Sequence, residues 1–367
     1  MNASEEDGER DWASLLPELL NLIAKRPPRE ISDFVRFRAV CHAWRSSTPA
    51  ADLPPQFPWI LEKRKDPGDP NLKFYSPALD KIYTIPAPRS LDKNILSGPP
   101  SHGHMFTINA VPFRTHPWPP RAVSLLNPLT NHEIPLPACP YVPANFWIGL
   151  LQNQTGEYEI VCYVHSDSQH CVLAFCHPSH QNNWHKVELD PDIRFWRHFY
   201  FKGMLFSVDT CCTGVTKVTS TADGALVYVV PSPVESYSSR DTEEYGLVQD
   251  TVGNILRISS KYNSWKYDVY RLDVRSKNNS SPCWVKVSSI GDQAIFMDMK
   301  GGFVLRADES SGIKENTIYL LWSKWTGIRF PLNYWAAWVD IQKGWSQRLP
   351  CPFKEPVSWL LPNLHRF

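Results

Sequence analysis

Apolar positions in the first fifty residues recur with a helical period. Leu16, Leu20 and Ile23 fall at i, i+4 and i+7, and Leu15, Leu19 and Leu22 broaden the stripe. Pro17 falls in the first turn, where its missing N–H costs nothing, and Pro27-Pro28 close the segment. A second helix is predicted behind Ser32 as N-cap, with Asp33 suited to the positive helix end. Phe37, Val40, Cys41 and Trp44 then recur at i, i+3, i+4 and i+7. Two short amphipathic helices in about forty residues cannot bury both stripes against each other alone. They predict either a cap on the following domain or a module that docks on a partner.

From about residue 57 onward the pattern changes to short apolar stretches separated by Pro, Gly, Asn, Asp and Ser. Strand-length examples are Leu72–Tyr75, Lys81–Ile85, Ala122–Leu126, Tyr158–Tyr163, Val172–Phe175 and Met204–Val208. Leu226–Val230, Ile255–Ile258, Val269–Leu272, Ile318–Trp322 and Ala336–Ile341 continue the series. The 33 prolines, about 9% of the chain against ~5% in average proteins, exclude long helices there.

These stretches repeat. Phe74-Tyr75-Ser76-Pro77 with Ile85-Pro86 resembles Leu125-Leu126-Asn127-Pro128 with Ile134-Pro135, and Phe175-Cys176-His177-Pro178 with Trp184 follows. Pro77, Pro128 and Pro178 are 51 and 50 residues apart. Tyr270–Asp273 with Trp284, and Trp338–Ile341 with Trp345, repeat the unit of strand, polar turn and strand. A period near 50 is the length of a kelch-like propeller blade, and about 310 residues would allow six or seven of them. A large β-sandwich is the competing reading, but it would not produce the recurrence.

Charge narrows the functional classes. With 38 Lys+Arg against 37 Asp+Glu the net charge is +1, without the basic excess of a nucleic-acid binder. No apolar run approaches the ~18 residues of a membrane helix. Neither nucleic acid nor membrane is expected as a partner. Nine scattered cysteines do not form a disulfide framework, and the polar start is no secretory signal, which suits the cytoplasm, the nucleus or both.

The segment Asp11–Ile23, followed by Phe34–Arg45 with its Val40-Cys41-His42-Ala43-Trp44, resembles the F-box, which runs Leu-Pro, a Leu/Ile stripe, then Val-Cys-x-x-Trp. The remainder resembles a large plant F-box family whose C-terminal region is called a domain of unknown function (type 295). The stretches that carry this are Leu125–Thr130 with Ile134–Pro137, Tyr200–Phe206, Cys283–Val287 through Gly291–Phe296, Asn316–Tyr319 and Trp359–Pro362. One departure is Ser101-His102-Gly103-His104-Met105, where the family has Ser-x-Gly-Trp-Leu.

The resemblance implies an α+β multidomain chain. A flexible N-terminus over 1–10 would precede an F-box helical module over 11–50, a linker over 51–71, and an all-β, propeller-like substrate-receptor domain over 72–367. It also implies a non-catalytic substrate receptor of a Skp–cullin–F-box ubiquitin ligase. Leu16, Pro17, Leu20, Ile23, Phe37, Val40, Cys41 and Trp44 would dock on a Skp-type adaptor. Through the adaptor the chain would reach cullin and the ring-finger subunit, and the β domain would bind a protein target. An F-box scaffold acting outside the ligase is the alternative, and a propeller enzyme or lectin is a third.

Other chemistry finds little support. His165, His170, Cys171, Cys176, His177, His180 and His185 cluster without a recognised four-ligand zinc spacing. Cys211-Cys212 read as buried thiols or turn residues, Gly301-Gly302 as a turn, and Lys63-Arg64-Lys65 as a solvated loop face. No nucleophile elbow, phosphate-binding glycine loop or zinc-protease helix occurs, so neither cofactor nor metal is expected. Trp322, Trp325, Arg329 and Trp335 are the residue types enriched at binding hot spots and are the candidate contacts for the target.

Overall fold

A computed structural model describes the backbone of residues 11–26, 30–64, 69–87, 94–109 (without 102), 121–139, 242–261, 266–273, 283–298, 301–309, 311–324 and 333–364, together with the strands between 146 and 231. Side chains are described within those ranges over 11–87, 103–107, 122–138 and 246–364, apart from 261, 322–324, 333–334 and 357.

Three short helices open the chain: α1 (Pro17–Ala24), α2 (Ile31–Arg38) and α3 (His42–Ser46). The single second helix expected from Phe37, Val40, Cys41 and Trp44 is therefore two. The chain leaves the helix at Ala39, and Cys41 adopts an extended backbone before α3 begins. Apolar spacing bridged this break because neither Pro nor Gly marks it. The expected N-cap Ser32 also lies inside α2 instead. Gln56 takes the capping role from a distance: its Oε1 accepts the Ile31 N–H at 3.0 Å, while Glu30 accepts hydrogen bonds from the hydroxyls of Ser32 and Tyr83. The expected stop at Pro27-Pro28 lies outside the described residues.

All described regular structure beyond the 3₁₀ turn Ala50–Asp52 is β. The strands are β1 (Trp59–Glu62), β2 (Asn71–Ser76), β3 (Lys81–Pro86), β4 (Asn94–Ser101), β5 (His104–Asn109), β6 (Arg121–Asn127) and β7 (His132–Cys139). Next come β8 (Phe146–Gln152), β9 (Tyr158–Ser166), β10 (His170–Cys176), β11 (His185–Leu189), β12 (Phe195–Phe201), β13 (Met204–Asp209), β14 (Gly214–Thr221) and β15 (Gly224–Pro231). The last ten are β16 (Thr242–Gln249), β17 (Ile255–Lys261), β18 (Tyr267–Asp273), β19 (Cys283–Val287), β20 (Gln293–Asp298), β21 (Gly301–Arg306), β22 (Thr317–Lys324), β23 (Asn333–Asp340), β24 (Ser346–Arg348) and β25 (Pro356–Leu360).

They form separate sheets in the orders β25-β1-β2-β3, β4-β5-β6-β7, β8-β9-β10-β11, β12-β13-β14-β15, β16-β17-β18-β19 and β21-β20-β22-β23-β24. Strand β4 contacts β8, β8 contacts β12, β12 contacts β16, and β16 contacts β21; β25 meets both β4 and β20. That cyclic succession is a β-propeller, not a two-sheet sandwich. The prolines spaced by about 50 residues have a structural meaning. Pro77 and Pro128 follow β2 and β6, the third strands of the first two sheets. Pro178 follows β10, the third strand of the next sheet, and itself lies outside the described residues.

Two boundaries differ from expectation. Residues assigned to a linker over 51–71 include β1, which pairs with both β2 and the C-terminal β25. The apolar run Trp59-Ile60-Leu61 is buried, and burial of one sheet layer decides its state. Gly301 and Gly302 open a strand instead of forming a turn. At Gly302 a Cβ would come within 2.6 Å of the Phe296 carbonyl oxygen, so only glycine permits that backbone approach. Strand β21 is an insertion along the inner edge of its sheet, and it leaves β20 and β22 parallel.

The ring is tied where its ends meet. Trp59, Leu61, Leu72 and Phe74 pack with Met105, Leu126 and Leu360 between the first and second sheets. On the other side Phe57, Phe296, Tyr319 and Trp359 form one aromatic cluster. Phe296 stacks on Tyr319 at 4.6 Å and meets Trp359 edge-on at 5.3 Å. The Trp359 indole Nε1–H also donates to the Met297 carbonyl at 2.9 Å. Lys63, read as part of a solvated run, pairs with Glu355 at 2.8 Å beside the β1–β25 seam.

Candidate functional site

The helices divide their apolar residues between two jobs. Around α1, at about 100° per residue, Ala24 lies about 40° to one side of Leu20, while Ile23, Leu19 and Leu22 lie about 60°, 100° and 160° to the other. Polar Asn21, Lys25 and Glu18 fill the remaining arc. The apolar arc covers more than half of the helix, and one core can cover only part of it. Leu20 and Ala24 are fully buried against Phe34 and Phe37 of α2. Leu16 (62% exposed), Leu19, Leu22 (64%) and Ile23 (36%) face outward.

The expected docking residues do not therefore form one face. Leu20 and Phe37 belong to the core of the helical module. Leu16, Pro17, Ile23 and Val40 are exposed, and Cys41 and Trp44 are half-buried. Trp44 joins the two sets. Its ring lies 4.3 Å from that of Phe37, and its Nε1–H donates to the Trp12 carbonyl at 2.9 Å. Trp12 itself is more than half exposed. Leu19, Leu22 and Trp12 were not singled out as contacts by sequence. Leu19 and Leu22 appeared only as a broadening of the stripe, and that width was the signal.

This module does not hang on a tether. Ile31 is buried in the seam between the first two sheets, and Leu53 and Leu364 pack against both that seam and the helical core. Asn21 Nδ2 donates to the Ser47 carbonyl at 3.1 Å and to Asp52 at 2.5 Å, and Lys25 lies 3.4 Å from the same carboxylate. The helices are thus held in one orientation on the propeller while keeping an apolar strip in water.

On the β domain, Trp322 and Trp335 are direct Cα partners across β22 and β23, and Trp335 is half-buried. Trp325 and Arg329 lie outside the described residues, so these four are not shown to share a surface. The backbone register pairs His165 with Cys171 and His185 with Phe175. The side chains of that His/Cys cluster, His177 and His180, and Cys211-Cys212 lie outside what is described. Among the described residues no group of three or more His, Cys, Asp or Glu could hold a metal. No helix among them is long and apolar enough to cross a membrane. His104 and Met105, which replace the family's Trp-Leu, are both buried.

The chain belongs to the KIB1-4 beta-propeller family, whose model matches residues 74–339. It is also similar over most of its length to plant F-box proteins. A probable F-box protein of Arabidopsis thaliana is 23% identical, over 84% of this chain and 83% of the relative. Another F-box protein of Arabidopsis thaliana is 22% identical over 86% of each chain. A streptogramin B lyase structure aligns over 82% of this chain and 84% of its own at 8% identity and a TM-score of 0.36, too loose a likeness to carry any argument.

Proposed function

We propose that this chain is the substrate-recognition subunit of a Skp–cullin–F-box ubiquitin ligase, built as an F-box on a six-bladed propeller. The observation that carries the reading is the outward strip Leu16, Leu19, Leu22 and Ile23 on a helix whose other apolar side is already buried. An apolar strip of this kind on a firmly packed module needs a cover. The similarity to plant F-box proteins supports a Skp-type adaptor as that cover. The six sheets, with β25 closing onto β1, support the blade number.

In this reading the chain performs no bond chemistry. It raises the concentration of a bound protein target beside a charged ubiquitin-conjugating enzyme, which is catalysis by proximity. The rigid attachment of helices to propeller suits that task, because a fixed geometry keeps the target within reach. The test is co-purification of the full chain with adaptor and cullin. Recovery of all three supports the ligase, recovery of adaptor without cullin supports an F-box scaffold outside it, and recovery of neither removes the docking reading.

A further inference from the structure

A cleft of about 500 Å³ separates the helical module from the second sheet, away from the exposed strip of α1. Its walls include Val35 and Arg38 from α2, Arg45 from α3, Thr130 from the β6–β7 turn, and Leu364. Arg38 and Arg45 both line this space, and neither has a carboxylate partner among the described residues. Arg36, by contrast, pairs with Asp33 at 3.2 Å.

Both cations are nevertheless held in place. The Arg38 guanidinium lies 5.6 Å over the Phe34 ring, and Arg45 Nε donates to the Arg38 carbonyl at 3.3 Å. These contacts leave the terminal N–H donors of Arg45 and the guanidinium donors of Arg38 without an anionic partner. Thr130 adds a buried hydroxyl that has no hydrogen-bond partner. Two like charges lining one cleft repel each other, and a bound anion would turn that repulsion into attraction.

We propose that this cleft binds the phosphate group of a small organic phosphate, clamped between Arg38 and Arg45. Two planar guanidinium forks match a dianionic phosphate better than a single carboxylate, in both charge and geometry. The volume falls within the ~300–1,000 Å³ of small-molecule sites. Val35 and Leu364 supply apolar wall for the organic part. Because the walls come from α2, α3, the second sheet and the C-terminal tail, the ligand would staple the helices to the propeller. The proposal does not depend on the adaptor reading, since the cleft excludes Leu16, Leu19, Leu22 and Ile23.

Calorimetric titration of the full chain with inorganic phosphate, at constant ionic strength and with acetate as the matched control, tests it. Saturable binding of phosphate is expected, with none of acetate. The double variant Arg38→Gln with Arg45→Gln should bind phosphate at least about tenfold more weakly, at an unchanged ligand-free Tm. If that variant fails to fold, Arg38→Lys with Arg45→Lys keeps the charge, loses the forks and should still bind more weakly than the native chain. Glycerol 2-phosphate distinguishes the sources: tighter binding than inorganic phosphate supports an organic ligand, and equal binding overturns that part. No saturable phosphate binding, or native affinity in the variants, overturns the proposal.

Discussion

Ser358 donates its hydroxyl to the Asp298 carboxylate across 2.6 Å, joining the last strand of the chain to a strand of the neighbouring sheet. The same carboxylate accepts the Trp359 N–H at 3.3 Å and the Gly301 N–H at 3.1 Å. Asp298, Ser358 and Trp359 are all buried. One side chain therefore ties β25, β20 and β21 together where the ring closes. Asp298→Ala would leave buried donors unsatisfied, at a cost of about 3 kcal/mol. Ser358→Ala removes one donor and should cost about 1 kcal/mol. Urea unfolding midpoints would show this order, and equal midpoints for the two variants would refute the closure role.

The end of β25 explains a glycine that the sequence comparison left beside a mismatch. Gly103 has φ +79°, and a Cβ there would lie 2.8 Å from the Leu361 carbonyl oxygen. Gly291 has φ +72° with nothing within 4 Å of a Cβ. Gly291→Ala should therefore cost only the left-handed backbone term, about 1–2 kcal/mol. Gly103→Ala should cost clearly more, because the tail must also move. Thermal unfolding of the two variants checks the order.

Alkaline pH should destabilise the first sheet through Tyr75. Burial, reinforced by its 2.9 Å hydrogen bond to Asp80, pushes the phenol up to about 12. In the unfolded chain it would titrate near 10. Between these values the unfolded state has lost the proton and the folded state has kept it. This contribution is thus complete below about pH 10 and is lost as pH rises toward 12. Tyr75→Phe should be less stable at pH 8, lacking the bond to Asp80, and its Tm should fall less steeply from pH 10 to 12. Parallel Tm curves would contradict this account.

The described thiols differ in environment. Cys283 is exposed, whereas burial pushes the Cys351 thiol up and keeps it in the unreactive form. Cys41 is half-buried at the break between α2 and α3. Peptide mapping after brief alkylation at pH 8 should show Cys283 labelled faster than Cys351. Labelling of Cys41 should slow when a Skp-type adaptor is added. Equal rates for Cys283 and Cys351 would contradict the burial argument, and an unprotected Cys41 would place the adaptor elsewhere.

Much of the ring was readable because its third strands end in similar polar turns, as at Pro77, Pro128 and Asp273. Between β14 and β15 the sequence reads Thr221-Ala222-Asp223-Gly224, without such a proline, so only the strand Leu226–Val230 of that pair was legible. The inserted β21 was missed because Gly301-Gly302 has the composition of a turn, and its reason for being glycine is a close approach to Phe296. On α1 the stripe was legible but its division was not. Leu16, Leu20 and Ile23 are chemically alike, and only packing against Phe34 and Phe37 sends Leu20 inward.

That division supplies the most direct test of the adaptor-docking claim: adaptor affinity and Tm measured on the same variants of the full chain. Leu16→Ala with Pro17→Ala alters exposed positions. It should lose about 2–4 kcal/mol of adaptor binding, roughly thirty- to a thousandfold in affinity, with little change in Tm. Leu20→Ala removes a fully buried side chain and should lower stability by about 2–5 kcal/mol. Unchanged adaptor affinity in the Leu16/Pro17 variant, or a fall in Tm matching that of Leu20→Ala, would contradict an outward docking strip.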